Sequence, residues 1–201
     1  MNRKAGIFVY PRVEELDFAG PIEVLGMVNK VSDNRVEIFA FSERRRRILC
    51  TNGLAVHPQH SFEDFPGADI LVIPGGPGAR SEMLKDSVIS FIKSISESCE
   101  LIISVCTGAL MLGAAGLLAG RKATTHWAAR GKLEGEFGAQ LVDDKVVHDG
   151  RIITSSGIST GIDASLYAVK VLFGEEVAES VARRISWRKP WWKGEGRPSL
   201  F

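Results

Sequence analysis

Apolar positions along the chain fall into two alternating textures: short unbroken runs, and longer stretches in which apolar residues recur every three or four positions. Ala5-Gly-Ile-Phe-Val-Tyr10 is continuous and stops at Pro11, the pattern of a parallel strand buried on both faces. Val36–Phe41, Asp69–Ile73, Leu101–Val105 and Arg151–Ser155 have the same character and predict four further strands. The helical texture predicts a helix over Pro21–Val31, with proline in its first turn and Ile22, Leu25 and Val28 on one face. Ser87–Ser98 repeats Val88, Phe91, Ile92 and Ile95 at helical spacing, and Thr107–Ala115, Asp163–Leu172 and Glu175–Trp187 complete the set. Strands alternating with helices of this length predict βαβ units, hence an α/β fold with a parallel sheet covered on both faces. Residues 44–60 and 139–154 are expected to be hairpin or β-ribbon insertions. No internal repeat, low-complexity tract or linker interrupts the pattern, so residues 1–201 are expected to form a single domain. Only a short tail follows the last predicted helix, and no separate DNA-binding domain is expected there.

Composition narrows the function classes. Hydrophobic residues make up 45% and charged residues 24%, the balance of a globular protein with a real core. A net charge of +1 creates no global field toward nucleic acid or an anionic membrane. The apolar run near the amino terminus ends at Pro11, too soon for a signal-peptide core, and no stretch is long enough to span a bilayer. Cys50, Cys99 and Cys106 are an odd, unpaired set, as expected of reduced thiols in the cytoplasm. Neither these cysteines nor His57, His60, His126 and His148 have zinc-ligand spacing, so no metal is expected.

Four segments could carry chemistry. In Leu101-Ile-Ile-Ser-Val-Cys-Thr-Gly-Ala-Leu-Met-Leu112, an apolar strand runs into Cys106 and then directly into a helix. A residue at such a turn projects into the crevice beyond the strand ends, where ligands bind in open parallel sheets. Gly108 supplies the small residue that a tight turn needs, and the helix N-terminus would favour a thiolate. A lone buried cysteine is otherwise a small apolar filler. Pro74-Gly-Gly-Pro-Gly78 also follows a strand, and its backbone amides could form an oxyanion hole, although such clusters are commonly plain turns. Asp17 lies just before the predicted Pro21 helix and could relay protons or simply cap that helix; Glu14, Glu15 and Glu23 are rivals. His126, in Ala123-Thr-Thr-His-Trp127, could act in acid–base chemistry or merely position a loop. Arg44–Arg47 reads as a solvated loop edge, and the aromatics of Trp187–Lys193 as packing residues rather than base-stacking ones.

These segments, with Leu16–Pro21, Gly113–Gly120 and Ser156–Asp163, resemble the ThiJ/PfpI superfamily over residues 4 to 183, and within it the isonitrile hydratase branch. The resemblance implies a flavodoxin-like, class I glutamine amidotransferase-like sandwich, no cofactor, and a homodimer. It further implies that Cys106 attacks the terminal carbon of a small isonitrile and that a thioimidate on Cys106 is hydrated to an N-substituted formamide. In that scheme Asp17 is the acid–base group, Thr107 helps hold Asp17 and supplies a backbone N–H with Cys106, and Gly75 and Gly76 complete a polar cradle with His126 nearby. The elbow reads Cys106-Thr107-Gly108, not the Cys-His-Gly of the protease-like and glyoxalase-like branches, and no His-x-Glu pair of amidotransferases follows. A non-catalytic ligand-sensing domain and a redox-responsive protein that oxidises Cys106 are the alternatives.

Overall fold

The structure, a computed structural model, describes residues 2–187. The chain runs β1 (Asn2–Phe8), α1 (Glu15–Val31), β2 (Arg35–Phe41), β3 (Ile48–Leu49), β4 (Ala55–Val56), β5 (Ile70–Ile73), α2 (Ala79–Glu82), α3 (Asp86–Ser96) and β6 (Leu101–Val105). A short 3-10 turn at Cys106–Gly108 leads into α4 (Ala109–Ala114) and β7 (Lys122–Ala123), and a second at Trp127–Ala129 into α5 (Arg130–Gly135). Then follow β8 (Gln140–Leu141), β9 (Val146–Asp149), β10 (Ile152–Ser155), α6 (Thr160–Phe173) and α7 (Glu175–Arg184).

Six strands form one sheet in the order β2-β1-β5-β6-β10-β9, parallel except for the β9 edge. Every residue of β5 and β6 is buried, which is why those strands read as unbroken apolar runs. The order reverses between β1 and β5, so the crevice beyond the carboxyl ends of β1, β5 and β6 is the place where an open α/β sheet binds ligands. The α/β class and the parallel sheet stand as expected.

Several boundaries differ. Helix α1 begins at Glu15, not Pro21; the acidic first turn of Glu15 and Asp17 suits the positive end of a helix, and Pro21 sits inside it. Residues 44–60 do contain a small antiparallel ribbon, β3–β4, with the exposed arginines 44–47 ahead of it and Arg45 3.4 Å from Asp64. Residues 139–154 are not an insertion. The β9–β10 hairpin turns at Gly150, where φ is +63°, and builds the last strands of the main sheet, while β8 pairs with β7 in a separate ribbon. The last helix stops at Arg184, because Ser186 turns the chain in the left-handed region (φ +58°). Trp187 then donates its indole N–H to Asp163 Oδ1 at 2.9 Å, which fits the packing role foreseen for it; the rest of the Trp187–Lys193 tail lies outside the described residues. Among the described residues no helix is long and apolar enough to cross a membrane.

Helix α6 reaches the sheet closely because Gly161 faces β6: a Cβ there would lie 2.9 Å from Val105 Cγ1. Gly161→Ala should therefore overpack the interface and cost about 1–3 kcal/mol in urea denaturation. Adding Val105→Ala should recover part of that loss, a non-additivity that a double-mutant cycle reads directly.

Candidate active site

Three strand ends deliver the site. The β1–α1 connection brings Asp17, the loop after β5 brings Gly75 and Gly76, and β6 ends on Cys106. Cys106 itself has φ +56°, a left-handed conformation uncommon for any side chain but glycine. Strand β6 thus breaks abruptly at Cys106, whose side chain is buried beside Asp17. The turn is tight, as expected: a Cβ on Gly108 would sit 2.1 Å from the Ile73 carbonyl oxygen.

Around the sulfur the groups interlock. Gly75 donates its amide to Asp17 Oδ2 at 3.0 Å. Gly76 donates to Thr107 Oγ1 at 2.9 Å, and the same hydroxyl donates back to the Gly76 carbonyl at 3.1 Å. A Cβ on Gly75 would collide with Thr107 N, Thr107 Oγ1 and Asp17 Oδ2, all within 2.8 Å, so no larger residue fits between these groups. Gly76 has φ +118° and no room for a Cβ against Glu14 N at 2.5 Å. Tyr10, fully buried, directs its hydroxyl at the Pro74 and Gly75 carbonyls at 2.7 and 2.8 Å and fixes the loop from below. Thr125 donates its hydroxyl to the carbonyl of Cys106 at 2.8 Å.

Three expectations change. The Gly75 and Gly76 amides are spent on Asp17 and Thr107, so they build the site rather than form an oxyanion hole. Thr107 clamps Gly76, not Asp17, which is held by Gly75. His126 caps its own turn, accepting at Nδ1 from the Ala128 amide at 3.3 Å and packing beside Trp127; it is Thr125 that bonds Cys106. Tyr10 and Thr125 were not singled out from sequence. The tyrosine at the end of the first apolar run and the second threonine of Thr-Thr-His-Trp were the available signals.

The electrostatics also differ from a simple helix-end thiolate. Asp17 is completely buried, its Oδ1 has no hydrogen-bond partner among the described residues, and burial lifts its pKa to about 7. The Gly75 amide and the Cys106 thiol pull it partway back. Burial and the charge of Asp17 push the Cys106 thiol up to about 12, against the opposing pull of the Thr107 amide and hydroxyl. The helix after Cys106 opens as a 3-10 turn and its α-helical part is only Ala109–Ala114, so its dipole does not overcome that burial. Asp17 and Cys106 therefore titrate as a pair that gives up one proton near neutrality and holds the second strongly. The sulfur rests as a thiol with a proton acceptor against it. Among the described residues no group of three or more His, Cys, Asp or Glu side chains is arranged to hold a metal ion.

Residues 3–171 match the DJ-1/PfpI family. The chain is 36% identical to the isonitrile hydratase of Pseudomonas putida over 187 residues, 93% of this chain and 79% of that one. It is 30% identical to a glutathione-independent glyoxalase of Caenorhabditis elegans, covering 82% of this chain and 89% of that one. A ThiJ/PfpI family protein from Pseudomonas syringae superposes with a TM-score of 0.87 at 30% identity, over 94% of this chain and 76% of the other.

The buried carboxyl makes a stability prediction. Unfolded, Asp17 releases its proton near its ordinary value of 3.8; folded, it does so near 7. Between those values the folded state binds more protons, so stability falls as pH rises from about 4 to 7 and levels off above. Urea denaturation of the wild type should show that decline, roughly 1.4 kcal/mol per pH unit at most. Asp17→Asn should flatten the curve and be the more stable protein at pH 8.

Proposed function

The chain belongs to the DJ-1/PfpI family, and we propose that it is a cytoplasmic, homodimeric hydro-lyase that hydrates a small isonitrile to an N-substituted formamide. The reading is carried by one observation: a buried carboxyl, Asp17, lies beside the buried Cys106 thiol at the strand ends, with the Gly75 amide on the carboxyl and the Thr107 amide on the sulfur. The likeness to an isonitrile hydratase supports it. The family includes enzymes of other chemistry as well, the glyoxalase relative among them, and the reaction assigned here rests on the site together with that likeness.

The terminal carbon of R–N≡C carries a lone pair and accepts a nucleophile, so addition needs a sulfur that loses its proton and an acid that protonates carbon. Cys106 sulfur attacks this carbon; as the S–C bond forms, Asp17 takes the thiol proton and passes it to the same carbon, giving a thioimidate. Water then adds to that carbon, and Asp17 moves the water's proton to nitrogen. The adduct R–NH–CH(OH)–S collapses: the C–S bond breaks, the hydroxyl proton returns through Asp17 to sulfur, and R–NH–CHO leaves. One isonitrile and one water are consumed, and the protein ends as it began. The Thr107 amide, lying against the sulfur, stabilises the negative charge that develops there.

Purified wild type should convert a small alkyl isonitrile to its formamide, measured by chromatography. Cys106→Ala should fall to the uncatalysed rate and Asp17→Asn should lose about 10²–10⁴-fold in kcat. Equal turnover in all three proteins, or turnover of methylglyoxal with none of isonitrile, would overturn the reading. Binding of an isonitrile without any turnover would move the protein to the ligand-sensing class. Sedimentation velocity should give a dimer.

A further inference from the structure

The turn that carries the nucleophile is clamped from two sides. On one side Gly108 brings its backbone against the end of β5, where a Cβ would lie 2.1 Å from the Ile73 carbonyl oxygen. On the other, the buried Thr125 donates its hydroxyl to the Cys106 carbonyl at 2.8 Å. The donor is itself held by the sheet. Thr124, the residue before it and also buried, gives its amide to Thr154 Oγ1 at 2.9 Å, and Thr154 pairs with Ser104 across β10 and β6. Ser155 Oγ adds a bond to the Ser104 carbonyl at 3.2 Å, two residues ahead of the nucleophile. His126 then caps the turn that follows, through the Ala128 amide. The Thr125 hydroxyl therefore reaches Cys106 from a segment anchored on the neighbouring strand.

We propose that Thr125 is a positioning residue of the reaction: by holding the Cys106 carbonyl, its hydroxyl fixes the left-handed turn that sets the sulfur and the amide that follows it. The inference deepens the hydration assigned above and rests on it for its purpose. The effect travels through one covalent unit. The Cys106 carbonyl and the Thr107 N–H belong to the same planar peptide, so a donor that fixes the oxygen fixes the N–H as well. That N–H lies on the sulfur, where negative charge develops during attack and again during release. A donor on the oxygen also polarises the unit and strengthens its N–H as a donor. With φ at +56°, Cys106 occupies a region that a side chain enters only when its surroundings hold it there. Without the hydroxyl the unit can rotate toward an ordinary conformation and carry sulfur and amide out of register. Asp17 and Glu14 are the charges that act on Cys106, and Tyr10 faces the same corner from the end of β1. Thr125 carries no charge, so any change in thiol reactivity on replacing it is transmitted through geometry and through that one peptide.

Thr125→Val keeps the shape of the side chain and removes the donor, whereas Thr125→Ser keeps the donor. Isonitrile turnover is measured for the wild type and both variants, each shown to be folded by urea denaturation. The rate of iodoacetamide alkylation at Cys106, followed against pH by mass spectrometry of the Cys106 peptide, reads the thiol without any turnover. Thr125→Val should lose about tenfold in kcat with KM within about twofold of the wild type. Its alkylation profile should move to higher pH by about half a unit, seen as a roughly threefold slower reaction below the midpoint. Thr125→Ser should bring both readouts back to within about twofold of the wild type. A folded Thr125→Val with the wild-type kcat and alkylation profile, or a Thr125→Ser as impaired as Thr125→Val, overturns the proposal. If Thr125→Val does not fold, Thr125→Cys decides the matter: its weaker S–H donor should move the profile the same way by less, and a superimposed profile overturns the proposal. Loss of the hydratase reading would show differently, as no formamide from the wild type while the alkylation shift persists.

Discussion

A single backbone amide, the N–H of Gly75 on Asp17 Oδ2, is the interaction on which the site depends. Among the described residues it is the one conventional hydrogen bond that reaches a carboxyl otherwise sealed from water, and it comes from a loop that cannot carry a side chain at that point. Everything nearby serves to hold that loop. Tyr10 grips its carbonyls from the end of β1, Thr107 grips the next residue from the start of the helix beyond β6, and Glu14 bonds it from the entry to α1. Three strand ends are thereby locked to one another across the point where the sheet order reverses.

The consequence for chemistry is that acidity is shared, not assigned. A carboxyl raised by burial and a thiol raised by burial and by that carboxyl form a unit with one easily lost proton. Such a unit does not need a permanently ionised sulfur. It needs a nucleophile that can shed its proton at the moment of attack and a partner that can return it later. Elements far from the crevice in sequence also reach this corner: the β3–β4 ribbon bonds Glu14 through Asn52, and the β7–α5 connection bonds the Cys106 carbonyl through Thr125.

Much of this was legible in the chain itself. Strands buried on both faces leave an unbroken apolar signature, so β5 and β6 were plain, and with them the abrupt strand-to-helix break at Cys106. The pairing of Asp17 with that cysteine was suggested by position after the first strand and by family resemblance. Other features were hidden for definite physical reasons. The start of α1 was misplaced because proline is favoured in a first turn, while here the acidic residues ahead of Pro21 already satisfy the helix end. The thiolate expectation weighed a local dipole, whereas the burial that outweighs it arises only when three strands meet. The β9–β10 hairpin looked like an ornament because nothing local distinguishes a strand that joins the main sheet from one that does not. Tyr10, Asn52 and Thr125 bond partners 19 to 65 residues away, and no spacing rule announces such a partnership.

The left-handed backbone of Cys106 has an evolutionary corollary. A β-carbon in that region costs on the order of 1–2 kcal/mol, which glycine would not incur. The fold on its own terms would prefer glycine at position 106, so thermodynamic drift and chemical selection pull this residue in opposite directions. A descendant relieved of its reaction would be drawn toward the more stable residue, and the strain would vanish along with the nucleophile.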